Sequence, residues 1–181
     1  MRVVYEYSHL GGSEILQVRY PEINHEIYAV INQITANRTK ISKEKTMRGK
    51  RLFAPTDMNK QFKQQFNQLG FKEIRDHYTI TIPNSEKQIK GSFKQIDFVK
   101  NRVLVEVQFG KYAFAVYNVC AKMTIFKKHK IIRCGIEIVP VKDLVDEMSS
   151  GIIYFEQFVW DLEQRGVLNI DIPVLMLGIA A

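Results

Sequence analysis

Two short runs, Ile131–Val139 and Val174–Ile179, are apolar along most of their length rather than at every second position. A strand wetted on one side alternates, whereas a continuously apolar strand is buried on both faces, inside a sheet covered by helices. Between the two runs, Lys142–Met148 and Ile153–Arg165 show helical periodicity, interrupted by Ser149-Ser150-Gly151. Helical chain between two fully apolar strands calls for a right-handed crossover. The expected fold is therefore α/β, a mixed β-sheet flanked by helices on both faces. No repeat, low-complexity tract or Pro/Gly-rich linker divides the sequence, so residues 1–181 are expected to form a single domain.

The remaining elements follow from local signals. Met1-Arg-Val-Val-Tyr-Glu-Tyr7 has strand character and lacks the apolar core and cleavage site of a signal peptide. Glu22–Ile34 forms an amphipathic helix with Ile23, Ile27, Val30, Ile31 and Ile34 on one stripe and Pro21 at its start. Thr56 or Asp57 can cap a second helix that runs to about Leu69 and stops at Gly70. Tyr78–Ile82 is a short strand, followed by a turn at Pro83-Asn84-Ser85. Tyr112 to about Lys127 is a largely buried helix, because Phe114, Val116, Val119, Met123 and Phe126 cover more than one face.

The run from Gln95 to Lys111 carries the chemistry. Val103, Val105, Val107 and Phe109 alternate with Leu104, Glu106 and Gln108, and Phe93–Val99 has matching strand propensity. A two-residue turn at Lys100-Asn101 would join them, pairing Val99 with Arg102 and Asp97 with Leu104. Asp97 and Glu106 would then be diagonal neighbours on one face, with Cβ atoms roughly 7 Å apart. Two carboxylates across such a gap can share one Mg²⁺, whose oxygen ligands sit at about 2.0–2.1 Å. A magnesium ion held there could face a phosphodiester; a solvated outer face of the hairpin is the plainer alternative.

The formal charge is +7, which suits a polyanionic partner. Much of it lies in Arg38–Arg51, where Arg38, Lys40, Lys43, Lys45, Arg48, Lys50 and Arg51 face a single acid, Glu44. Phosphate-backbone contact requires such a stretch, with Thr39, Ser42 and Thr46 as further donors. A solvated loop would look the same. Cys120 and Cys134 are isolated and expected to be free thiols, consistent with a cytoplasmic protein. The four histidines lack metal-ligand spacing, no apolar run is long enough to span a membrane, and there is neither a Gly-rich phosphate loop nor a nucleophile elbow.

The order of helices, hairpin with Asp97-x₈-Glu106-Val107-Gln108, helix and strand resembles the PD-(D/E)XK nuclease fold. More narrowly, the chain is similar to the BstYI/BglII-like type II restriction endonucleases. The resemblance rests on Val4-Tyr-Glu-Tyr-Ser-His-Leu10, Arg38-Thr-Lys-Ile-Ser-Lys-Glu-Lys-Thr46, Asp97-Phe-Val-Lys100, Glu106-Val-Gln-Phe-Gly-Lys-Tyr112, Met148-Ser-Ser-Gly151 and Gly178-Ile179-Ala180. It implies a homodimer that cuts double-stranded DNA with Mg²⁺ at a palindrome centred on GATC, leaving 5′ overhangs. It also implies a cognate DNA methyltransferase in the same system. Asp97 and Glu106 are then metal ligands, the Val107 carbonyl a third, and Gln108 stands where most of the superfamily has lysine. An amide can orient water but cannot take its proton.

The resemblance implies that Lys111 and Ser150 face the outer base pair, where the AGATCT-reading branch carries Asn at both positions, with Ser149 a further DNA contact. Asn bonds adenine N6 and N7 together, whereas a donor aimed at N7 accepts either purine, which points to R^GATCY. The rival readings are AGATCT or bare GATC specificity, or a catalytically degenerate DNA-binding protein. Lys40, Lys43 and Lys45 are the expected phosphate contacts.

Overall fold

The computed structural model describes residues 1–167 and 169–181. Its centre is a six-stranded mixed sheet. In chain order the strands are β1 (Arg2–His9), β4 (Lys72–Thr81), β5 (Gln88–Lys100), β6 (Val103–Val107), β7 (Cys134–Pro140) and β8 (Val174–Ala180). The spatial order is β1-β8-β7-β6-β5-β4, with β6, β7 and β8 parallel and the outer neighbours antiparallel. The two continuously apolar runs are the inner strands β7 and β8, buried throughout except for half-exposed Ala180. A separate two-stranded ribbon joins β2 (Lys40–Ile41) to β3 (Arg51–Leu52) within the basic stretch.

Helices cover both faces, and the side-chain alternation of β6 shows which. Its odd positions look toward α1 (Gly12–Arg19), α2 (Pro21–Gln33) and α3 (Pro55–Gln68), where Phe62 and Phe66 of α3 meet Phe109 and Phe98. Its even positions look toward a helical run made of α4 (Tyr112–Tyr117), a π-helical turn (Asn118–Lys122) and α5 (Met123–Lys128). On that second face Gly135 admits Met123, and Gly178 admits Phe155 of α7 (Phe155–Arg165). A Cβ at Gly135 would lie 2.4 Å from the Met123 sulfur, so a side chain there would force Met123 to repack.

Several expectations shift. The β5–β6 turn is Asn101-Arg102, not Lys100-Asn101: both residues have positive φ (49° and 67°), and Lys100 pairs with Val103. Two left-handed residues match the twist of a tight hairpin, and Asn tolerates that region well. The strand β4 is twice the expected length because its outer-edge residues are largely polar and exposed, which hides it from hydrophobic patterning. The helix α3 opens with Pro55 as its first residue and Ala54 before it; Thr56 and Asp57 do not cap it. Lys142–Val145 (α6) is a single turn, and α7 starts only at Phe155. Residues 152–153 are held extended instead, through the Lys111–Ile152 bridge and the Ile153 N–H donating to the Gly110 carbonyl (3.0 Å). Phe114 is 57% exposed rather than part of the core. The helix α1 had no clear sequence signal, since a Gly11-Gly12 start reads as a turn. Gly12 is required there: a Cβ would lie 2.3 Å from the Val174 carbonyl carbon. Among the described residues no helix is long and apolar enough to cross a membrane.

Candidate active site

The observed hairpin register is shifted from the expected one. The ladder pairs Phe98 with Val105 and ends there, so Asp97 and Glu106 are the first residues beyond the paired stretch, one on each strand. On the other side of Glu106, the parallel ladder places Glu137 of β7 in register with it. Three acids, one from each of three adjacent strands, thus gather at this end of the sheet.

Their environments differ. Asp97 is exposed, Glu106 is 4% exposed and Glu137 is fully buried. The π turn supplies the partners: Asn118 Nδ2 donates to Glu137 Oε1 at 3.2 Å, and the Lys122 ammonium lies 2.7 Å from Glu106 Oε1. That ammonium is the one partner of Glu106 Oε1 among the described side chains, and Glu137 Oε2 has no hydrogen-bond partner. Burial pushes the Glu106 carboxyl up to about 7 despite the opposing pull of Lys122, with Asp97 adding to the rise. Burial, then the neighbouring Glu106 charge, holds the Glu137 carboxyl well above the usual carboxylate range.

Gln108 folds back on its own chain, its Oε1 accepting the Gly110 N–H at 3.1 Å. Its amide N–H groups are what it can present to the cleft. Gly110 makes this possible, since a Cβ there would approach Gln108 Oε1 to 2.8 Å. Asp97 is tied through Gln95, whose Nε2 donates to Asp97 Oδ1 (3.4 Å) and to Glu73 Oε2 (2.9 Å). Two adjoining clefts share Gln95, Asp97, Val107 and Gln108. One, of about 380 Å³, is walled by Lys94, Tyr117 and Lys122. The other opens toward Asn59, Lys63 and Asn67 on α3.

Among the described residues no group of three or more His, Cys, Asp or Glu side chains forms a metal cage. The cleft instead offers hard carboxylate oxygen atoms from Asp97 and Glu106, with Val107 and Gln108 beside them. Magnesium sites of this kind use one or two carboxylates and complete their shell with water and substrate oxygens. Lys122 engages Oε1 of Glu106 and leaves Oε2 beside Asp97 on the cleft wall, a donor set that fits such a site.

The other sequence-derived candidates gather on a neighbouring surface. Lys111 bridges to Ile152, directly after the Ser149-Ser150-Gly151 turn. The basic ribbon reaches the same turn: Lys40 Nζ contacts Ser149 Oγ, and the Ser150 N–H donates to both Glu44 carboxylate oxygens at 3.2 Å. Arg38 pairs with Glu147, its Nε at 2.8 Å. Glu44, the lone acid of the stretch, therefore anchors the turn, while Lys43 and Lys45 stay exposed. Lys111, Ser149 and Ser150 do not line the acidic clefts.

Sequence reasoning missed Glu73, Lys94, Asn118, Lys122 and Glu137. An acid inside the apolar run of β7, Glu137, was the stronger available signal. Asn118 and Lys122, four residues apart on a helix, carried a weaker one.

The sheet order, helices on both faces and the acidic cleft at the hairpin define a mixed α/β fold. Two solved structures share that fold. BglII complexed with a DNA 16-mer superposes with a TM-score of 0.78 at 23% identity, over 100% of this chain and 79% of that one. Free BglII gives a TM-score of 0.66 at 21% identity, over 100% and 80%. No curated protein matches the chain. The profile of the family "Restriction endonuclease BglII/BglIII" matches residues 4–179, and the chain belongs to that family. It is a type II site-specific deoxyribonuclease.

Proposed function

We propose that this chain cuts double-stranded DNA as a homodimer at R^GATCY, by Mg²⁺-dependent phosphodiester hydrolysis that leaves 5′ overhangs. The observation that carries the reading is the meeting of Asp97, Glu106 and Gln108 in one cleft of a chain from this family. Asp97 and Glu106 hold the ion from opposing strands, with the Val107 carbonyl as a further oxygen. When bound, magnesium supplies acidity to water near neutral pH and counter-charge to the phosphoryl oxygens. Gln108 orients the attacking water through its amide N–H groups, its Oε1 being engaged by Gly110. Lys94 and Lys63, at the walls of the two clefts, draw the phosphate chain toward the carboxylates.

Base reading falls to Lys111 and the Ser149-Ser150 turn, and general phosphate contact to Lys43 and Lys45. Lys40 contributes through Ser149, steadying the turn as much as meeting a phosphate. A palindromic site matches a two-fold dimer, in which each subunit reads and cuts one half. A methyltransferase modifying the same site would protect the host. Digestion of a plasmid of known sequence with Mg²⁺, followed by end mapping, tests activity, site and stagger together. Fragments ending in four-base 5′ GATC extensions at every RGATCY are expected; no cutting, or ends elsewhere, would overturn the reading.

A further inference from the structure

The strand β6 and the residue that follows it bring no cation to the acids, because Gln108 is neutral. The positive charge in contact with Glu106 comes from the helical face above it. Lys122 is nearly as buried as its partner, with side-chain exposures of 12% and 5%. Burying an ammonium is expensive unless it is matched, and one cation here faces two neighbouring carboxyl groups, Glu106 and Glu137. The helix departs from regular geometry at this place: the π turn spans Asn118–Lys122, and its first and last residues are the two that engage the acids. Widened turns of this kind recur at functional sites. Lys122 approaches Oε1 of Glu106, which leaves Oε2 as the ligand atom, while Asn118 steadies Glu137 behind.

We propose that Lys122 is a positioning residue for cleavage: its ammonium fixes the Glu106 carboxylate in the orientation that receives the divalent cation. It delivers from a helix the positive charge that Gln108 does not bring on the strand. The proposal rests on the reading of Asp97 and Glu106 as the metal ligands. Partners that orient a ligating side chain commonly change metal affinity by 10–100-fold when removed.

The test is calorimetric titration of Mn²⁺ into the full chain, with circular dichroism to establish folding. Lys122→Met is expected to weaken Mn²⁺ binding about 10–100-fold, and Lys122→Arg, which retains the charge, to restore most of it. Lys122→Met/Glu137→Gln removes one acid together with the cation, so it should stay folded if the single variant does not, and it is expected to bind Mn²⁺ weakly as well. Wild-type Mn²⁺ affinity in a folded variant lacking Lys122, even one with a lowered melting temperature, would overturn the proposal and reduce Lys122 to a structural ion pair. Asp97→Asn is the parallel arm. If it too binds Mn²⁺ as wild type does, the ligand assignment itself has failed and the proposal falls with it.

Discussion

Replacing Glu106 with Gln keeps the side chain's shape and removes its charge, and the structure sets the size of the response. Burial lifts the folded-state carboxyl from 4.5 to about 7, against the pull of Lys122. Between those values the folded protein holds a proton that the unfolded chain has released. The associated stability is therefore fully present below pH 4.5 and lost as pH rises to about 7. At 1.36 kcal/mol per unit, the ionised carboxylate costs the fold about 3 kcal/mol by pH 8. The attraction of Lys122 for the ionised carboxylate is already inside that figure, since it is one of the causes that set the value near 7. Gln is neutral at every pH and should recover this energy.

For a chain of 181 residues, each kcal/mol moves the melting temperature by about 2–4 °C, so Glu106→Gln should melt about 6–12 °C higher. The assay is scanning calorimetry with a chelator present, at pH 8 and again below pH 4.5, where the gap should close. The same variant should lose cleavage with Mg²⁺ while retaining DNA binding. A stabilised but inactive variant is what a site assembled at the expense of stability predicts. If Glu106→Gln melts at or below wild type at pH 8, the acid is not strained by burial and the reasoning is wrong.

Phe66 is fully buried, with ring centroids 4.8 Å from Phe98 and 5.0 Å from Phe71. Phe66→Ala should cost about 3–5 kcal/mol in denaturant unfolding, and a loss well below that would mean α3 is not what supports β5. Lys43→Ala with Lys45→Ala should weaken binding to target and non-target duplexes alike and lower the salt slope by about one per lost phosphate contact, measured by fluorescence anisotropy. Lys111→Asn with Ser150→Asn should shift cleavage toward A at the outer purine; equal cutting of AGATCT and GGATCC duplexes after the change would refute that assignment.

Much of the fold was legible because burial on two faces leaves a compositional trace. The strands β7 and β8 are apolar at nearly every position and could only lie inside a covered sheet, and the stripe on α2 required a core beneath it. The edge strand β4 and the glycine-led α1 were illegible for the converse reason: one is polar on an exposed edge, and the other is determined by a close backbone approach to β8. The turn of the hairpin shows how small the margin is. Moving it by one residue pairs Phe98 with Val105 and sets Asp97 and Glu106 together just past the end of the ladder.

By itself, then, the chain's order of residues determined the class of fold and the family, and it marked Asp97, Glu106 and Gln108 as the residues to watch. These are properties of short-range pattern: alternation, apolar runs and a spacing within one hairpin. Tertiary structure alone decided that Glu137 lies beside Glu106, that Lys122 is the cation touching it, and that Glu44 anchors the turn carrying Ser150. Those contacts join residues 16, 31 and 106 positions apart in the chain. Local periodicity records which face a side chain must bury; it holds no record of what another strand or helix will place against it.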